Sequence, residues 1–267
     1  MSRYLLEAGK WERVTPAYAG WRYLFFEVFA QSFSFSNDDA ESVIIPLRGG
    51  CRVTADGQTW EFGGRASVFA GMPSALYLPL GTAFEADVEG EVAVCGARCE
   101  TRREPVLIRP EDVEVEVRGA GNATRQINHI VKPEFPAERI LVVEVFTPAG
   151  NWSSYPPHKH DEDHPPGEVV LEEVYYYRTA KPEAFAVQRL YSPAHDLDVT
   201  ATVRHGDVML VPFGYHTTCA AHGYDLYYLN GLAGDRRSMA AADDPALAWV
   251  RDSWGGMPTD PRVPLVR

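Results

Sequence analysis

Cysteine is scarce: Cys51, Cys95, Cys99 and Cys219 are the only four in 267 residues, and no two fall in a CxxC spacing. That count argues against a disulfide scaffold and against a thiolate zinc site, and makes reduced thiols in a cytoplasmic protein the expectation. No run approaches ~18 consecutive apolar residues, so no membrane-spanning helix is expected. Met1–Glu7 lacks the basic-then-apolar order of a signal peptide. Basic side chains are in deficit, 25 against 37 acidic, for a net charge of −12. Nucleic acid is thereby disfavoured as a partner, because phosphate binding needs a basic face. A small anionic ligand is not, since a pocket can hold local Arg or Lys against the global sign. Histidine is absent from the first 128 residues: all eight lie at 129, 158, 160, 164, 195, 205, 216 and 222.

What is present is an apolar fraction of 45%, 12% of the chain aromatic and 23% charged, which excludes disorder. The length allows one to two domains. Twenty Pro and 22 Gly punctuate short stretches of β-forming residues: 42–47, 66–70, 76–78, 92–95, 140–146, 174–177, 185–187, 208–211 and 226–229. Short strands at near-regular spacing with turn residues between them predict an all-β sandwich or barrel. Asp56-Gly57 and His205-Gly206-Asp207 read as hairpin-type turns. A helix is expected only near the end, with Asp244 as cap and Pro245 in the first turn, running through Val250.

The halves look duplicated. Pro79-Leu-Gly81-Thr-Ala83 and Pro212-Phe-Gly214-Tyr-His216 each follow a strand. Glu41 heads a strand 38 residues before Pro79, and Glu173 heads one 39 residues before Pro212. This predicts a first unit over 1–100, a connecting segment over 101–137, and a second unit over 138–267. Only the second can hold an imidazole-ligated metal, because Ala83 stands where it has His216. Packing and a dimer contact are the roles left to the first unit, and homo-oligomerisation stays open.

The chemistry concentrates in Pro156-Pro157-His158-Lys159-His160. Two His at i and i+2 on an extended segment project to one face. Glu173 and His216 are the best further ligands, and three His with one Glu suit one divalent ion, Zn or Mn first, with Fe or Ni also in range. Glu162, Glu168 and Glu172 are rivals to Glu173. Register favours Glu173, since Glu172 points to the other face of the same strand.

This constellation resembles the cupin superfamily. Gly206, five residues, Pro212, Gly214 and then His216 follow its second motif. In its first motif, twelve residues separate His160 from Glu173 instead of three or four. Trp152-Ser-Ser-Tyr-Pro-Pro-His-Lys-His-Asp161, Leu171-Glu-Glu-Val-Tyr-Tyr-Tyr-Arg178, Phe185-Ala-Val-Gln-Arg189, Gly206–His216 and Gly223–Asn230 look like the 5-deoxy-glucuronate isomerase family of myo-inositol catabolism. Gly63–Phe69 and Arg118-Gly-Ala-Gly-Asn122 fit as well. The resemblance implies a bicupin fold and interconversion of 5-deoxy-D-glucuronate with 2-deoxy-5-keto-D-gluconate.

An aldose–ketose isomerase moves a proton between neighbouring carbons, with a Lewis acid stabilising the enediolate. Glu173 and a phenolic side chain, Tyr175 or Tyr177 on the same face, are the candidate bases. The substrate carboxylate needs a cation, for which Lys159 and Arg189 are nearest in the motifs; Gln188 and Tyr215 are grouped with them as substrate-binding residues. Three alternatives stay open: a uronate isomerase acting on 4-deoxy-5-keto uronates, a cupin dioxygenase using iron, and a non-enzymatic sugar-binding bicupin.

Overall fold

The computed structural model describes residues 3–267, so Met1 and Ser2 of the N-terminal stretch read above lie outside the described residues. β-Strands dominate, and among the described residues α-helix is confined to Pro16–Ala19 and Trp249–Ser253. Among the described residues the strands form three antiparallel sheets of eight, seven and five.

The eight-stranded sheet is built on two sixteen-residue strands, Ala40–Ala55 and Ala83–Arg98, paired along their length. Their register shifts between Pro46 and Arg48. A bulge bends the strand that carries it, and here both long strands change partners at the bend. One end pairs with Leu24–Phe29 and Ala75–Leu78, the other with Phe33–Ser36 and Gln58–Arg65. Ile44, Leu76 and Val94 from one end share an apolar cluster with Val53, Phe84 and Ala86 from the other, so the sheet closes on itself. Asp56 and Gly57 make the tight turn, both at positive φ (50° and 75°) as a two-residue hairpin requires.

In the second half, the seven- and five-stranded sheets face each other. Val143, Tyr175, Tyr177 and Tyr228 from one meet Ala186, Leu190, Val203 and Ala220 from the other. Between the halves lies a third core, in which Leu24, Phe26, Val43, Ile45 and Cys95 pack on Ile140, Val142, Val174, Tyr176 and Leu229. The strand Glu172–Thr179 thus serves both: Val174 and Tyr176 face the first half, and Tyr175 and Tyr177 face the second barrel's interior.

Several local expectations are corrected. Residues 66–70 form no strand; Val68–Ala70 make one 3₁₀ turn, closed by Ala70 N–H on Ser67 O, with Gly71 ending it. His205–Asp207 is a corner instead of a hairpin, because the strand before it pairs in the five-stranded sheet and the strand after it in the seven-stranded one. Asp244 does cap a turn, accepting Ala246 N–H at 2.9 Å, but the helix begins only at Trp249. The stretch 101–137 is more than a connector: Val106–Ile108 joins the eight-stranded sheet, and Glu114–Arg118 and Arg125–Val131 join the seven-stranded one.

Register also corrects the internal alignment. Ser42 pairs with Leu78, the residue before Pro79, and Glu173 pairs with Val211, the residue before Pro212. Ser42 is therefore the counterpart of Glu173, and Glu41 that of Glu172. Both repeated glutamates grip the opposite half. Glu41 accepts N–H bonds from Glu138, Arg139 and Ile140 at 2.6–2.8 Å, at the start of the second half's strand Ile140–Thr147. Glu172 accepts them from Arg22, Tyr23 and Leu24 at 2.5–3.0 Å, at the start of the first half's strand Leu24–Phe29.

Candidate metal centre

His158 lies on the strand Trp152–Lys159 directly opposite His216, which lies on Tyr215–Ala220. Its ring centroid is 4.6 Å from that of His216. His160 follows the end of its strand. The twelve residues between His160 and Glu173 mostly loop outward, and the base of the loop is closed by His160 itself: Leu171 N–H donates to His160 O, and His160 Nδ1 meets Leu171 O, both at 2.9 Å. The insertion therefore leaves His160 beside Glu173, Nε2 to Oε2 at 2.9 Å. His216 Nε2 is 3.1 Å from the same oxygen. The donor atoms of His160, Glu173 and His216 all lie within 4.8 Å of one another, and all three residues are buried.

Gly214 sets the approach to His216. It sits at φ 90°, its N–H donates to Asp161 Oδ2 at 2.7 Å, and a Cβ there would come within 2.7 Å of Tyr191 O. Only glycine fits both the left-handed backbone and the close pass.

The tautomers follow from the hydrogen bonds. A carbonyl can only accept, so Nδ1 of His160 donates to Leu171 O, and Nδ1 of His216 donates to Gly214 O at 3.2 Å. His158 Nδ1 meets Pro156 O at 3.4 Å. The neutral rings of His160 and His216 then turn their Nε2 lone pairs toward Glu173, while His158 lies against the His216 ring and is not among the three residues whose donor atoms converge within 4.8 Å. Two such lone pairs face one carboxylate oxygen, and buried His216 Nε2 has no hydrogen-bond partner. Lone pairs converging on an oxyanion repel unless a cation lies between them, and imidazole with carboxylate donors suits a borderline divalent ion.

The titration directions follow from the same close packing of charge. Burial, with His216 and His160 beside it, holds His158 well below the usual imidazole range. Burial pushes His160 the same way, but the bond and charge of Glu173 outweigh it and raise the value. For Glu173 burial raises, and the two imidazoles outweigh it, holding the carboxyl below its usual range.

The remaining expected residues divide. Tyr175 lines the same cavity as His158, His160 and Glu173, its hydroxyl 3.0 Å from Ser154 Oγ. Ser154 is in the left-handed region at φ 51°, within the bulge that separates Ser153 from His158 in the pairing. Tyr177 shares the face but not the cavity; its hydroxyl donates to Gln188 Oε1 at 2.7 Å, and both side chains are buried packing. Lys159 points the other way from its flanking histidines, into Asp161, Glu162 and Glu168, and braces the outward loop. Glu162 and Glu168 are thereby accounted for as loop residues. Arg189 is exposed, paired with Asp198 at 2.7 Å and lying over the Tyr191 ring. Tyr215 packs at a tilt against the same ring, 5.5 Å between centroids. Lys159, Gln188, Arg189 and Tyr215 are not brought to the cavity.

Three arginines absent from the sequence expectations are: Arg118, Arg125 and Arg251 line it, with Asn230, Tyr228 and Met239. Arg118 opens the Arg118–Asn122 block, but nothing in the spacing distinguishes Arg125 or Arg251 from surface charges.

Residues 4–250 match the KduI/IolB family. The chain is 42% identical over 255 residues to the 5-deoxy-glucuronate isomerase of Geobacillus kaustophilus (strain HTA426), covering 92% of each. It is 38% identical over 246 residues to the 5-deoxy-glucuronate isomerase of Bacillus subtilis (strain 168), covering 89% of this chain and 91% of that one. Among solved structures, an IolB-like protein from Salmonella typhimurium LT2 matches with a TM-score of 0.89 at 34% identity, over 93% of this chain and 99% of that one. An oxalate decarboxylase from Lactobacillus farciminis shares the fold at a TM-score of 0.63 and 12% identity, over 91% and 89%. The architecture is the double cupin, and the chain belongs to the KduI/IolB family, whose relatives named here are isomerases.

Proposed function

We propose that this chain is an aldose–ketose isomerase that interconverts 5-deoxy-D-glucuronate and 2-deoxy-5-keto-D-gluconate in myo-inositol catabolism. The observation that carries the reading is the convergence of Nε2 lone pairs on Glu173 Oε2 inside a cavity, with His158, His160, Glu173 and His216 as the residues that hold one divalent ion. When bound, such an ion supplies Lewis acidity toward the negative charge that develops on an enediolate.

The chain's own groups divide the proton work. Glu173 turns Oε2 to both imidazoles, and Oε1 has no hydrogen-bond partner among the described residues. Oε1 is the atom that takes the proton from the hydroxyl-bearing carbon and returns it to the neighbouring one. Burial, reinforced by the Glu173 charge, pushes Tyr175 well above the usual phenol range. Its hydroxyl is therefore a proton donor to a substrate oxygen and not the base, with Ser154 fixing its direction. Phenolic walls of Tyr175 and Tyr228 keep bulk water from the reacting carbons. The four free thiols are in keeping with a reducing, cytoplasmic setting.

The test is NMR of 5-deoxy-D-glucuronate with the metal-analysed protein. Ketose should form under argon, stop on chelation, and return with a redox-inert divalent ion. Turnover that requires oxygen, or that occurs only with a 4-deoxy-5-keto uronate, would refute the assignment.

A further inference from the structure

We infer that Arg125 receives the carboxylate of the substrate, so that a sugar acid lies with its carboxylate end on this guanidinium and its carbonyl end at the histidine–glutamate cluster. The inference rests on the proposed isomerase reading and names the residue that selects an acid over a neutral sugar.

Arg125 opens the strand Arg125–Val131, and alternation sends it and Ile127 to the cavity. The intervening residue takes the opposite face: Gln126 binds the C-terminal Leu265 and Val266. Of the three cavity arginines, two carry their own counterions. Arg118 holds Glu116 through two bonds of 2.6 and 2.8 Å, and Arg251 holds Asp243 in a two-point pair. Arg125 has none. It is 3% exposed, and only Nη1 is used, donating to the carbonyls of Ala123 at 3.1 Å and Tyr155 at 3.2 Å. No carboxylate lies within ion-pair distance of it among the described residues, and Nε and Nη2 are left without protein acceptors. A buried cation with no anion costs several kcal/mol by general desolvation arguments, a cost that an anionic ligand removes.

Burial, with the positive neighbours Arg118 and Arg251, pushes Arg125 down to about 10, which still leaves it charged at neutral pH. The carbonyl of Tyr155 fixes the side chain against the segment that carries Ser154 and His158, so the anion site and the reacting centre share one strand. A planar guanidinium with two adjacent free N–H groups matches a carboxylate edge.

The experiment compares D-glucuronate with D-glucose, its neutral counterpart, by NMR titration of the metal-loaded protein. Wild type should bind glucuronate more tightly. Arg125→Gln should weaken glucuronate about 30- to 100-fold, the loss of a two-point charged contact, and leave glucose unchanged. Arg125→Lys, which keeps charge but not the fork, should retain part of the preference; it also replaces the Gln variant if that one loses metal or fold. Equal loss of both sugars, or undiminished glucuronate preference in the variants, would overturn the inference. Binding is read without turnover. Charge selectivity that disappears with Arg125, in a protein that fails to isomerise 5-deoxy-D-glucuronate, would sink the isomerase reading and leave the anion anchor standing.

Discussion

Glu172 and Glu173 are chain neighbours on opposite faces of one strand, and their replacement should have opposite consequences. Glu172→Ala removes the acceptor of three backbone N–H groups, those of Arg22, Tyr23 and Leu24. Arg22 is exposed and Tyr23 partly so, and their N–H groups regain water; Leu24 is wholly buried, and its N–H does not. One unsatisfied buried donor plus two weakened charged bonds comes to roughly 2–4 kcal/mol. For a chain of this size that lowers Tm by about 5–15 °C, while metal content and turnover per folded molecule stay unchanged. Glu173→Gln keeps the volume but loses the charge facing His160 and His216. It also loses the basicity of the free oxygen. Metal affinity should fall by more than the roughly 10–100-fold typical of losing an outer partner. Turnover of the remaining loaded fraction should fall a further 10²–10⁴-fold or so, the usual worth of a general base. Scanning calorimetry, elemental analysis and NMR turnover on the two variants decide it. Metal lost with Glu172 and retained with Glu173 would refute the register and everything built on it.

Metal affinity should fall as pH falls, because imidazole binds an ion only when neutral, and in the metal-free protein the bond and charge of Glu173 raise His160 against the effect of burial, so protons compete for that ring. In the apo protein that raised value adds stability fully below the ordinary imidazole value and loses it as pH rises through the raised one; the loaded protein should instead lose metal as pH falls. Calorimetric titration with metal at several pH values reads this, and an affinity that does not fall with falling pH would count against imidazole ligation. In deuterated water, product should carry solvent deuterium at the carbon that gains the proton, whereas a hydride shift leaves none. Arg65→Ala should cost about 3–5 kcal/mol, because it strands Glu144, fully buried between the halves and otherwise bound by Tyr227 at 2.8 Å; a change of under 1 kcal/mol in chemical denaturation would contradict that.

The histidine–glutamate cluster is legible in the sequence where its geometry is local. His158 and His160 share a face by the two-residue period, and Pro212-x-Gly-x-His ends in a side chain aimed by one glycine turn. The strands were legible wherever apolar runs lie in the two interiors, as at 140–146 and 226–229. The errors arise where tertiary contacts decide. Residues 66–70 have strand composition but follow Arg65, whose guanidinium is drawn to Glu144 across the interface, and the chain turns there. Spacing matches Glu41 to Glu173, since both head strands, whereas the pairing of Ser42 with Leu78 and of Glu173 with Val211 makes Glu41 the counterpart of Glu172. The carboxylate-binding cation was sought near the motif, at Lys159 and Arg189. Both are neutralised on the outside by acids a few residues away, a fact that depends on loop and sheet geometry. What marks out Arg125 is a missing counterion, and an absence of contact has no sequence signature.

A site that needs only second-half residues raises the question of what the first half does for it. The strand Glu172–Thr179 answers in part. Its outward residues Val174 and Tyr176 are packed into the core shared with Phe26, Ile45 and Cys95. The inward residues of that strand, Glu173 and Tyr175, line the cavity and are the proposed ligand and proton donor. A ligand set tolerates only a fraction of an ångström of drift before its donors cease to converge. Fixing the back of the strand that carries Glu173 fixes the front. The first half has Ser42 and Ala83 where the second has Glu173 and His216, and it repeats the grip through Glu41 in the reverse direction. The two halves thus share the reciprocal clasp, and the proposed metal ligands lie in one of them. Selection on the first half should then fall on Glu41, Arg65 and the shared core, and changes at its own barrel lining around Phe84 should alter stability before they alter turnover.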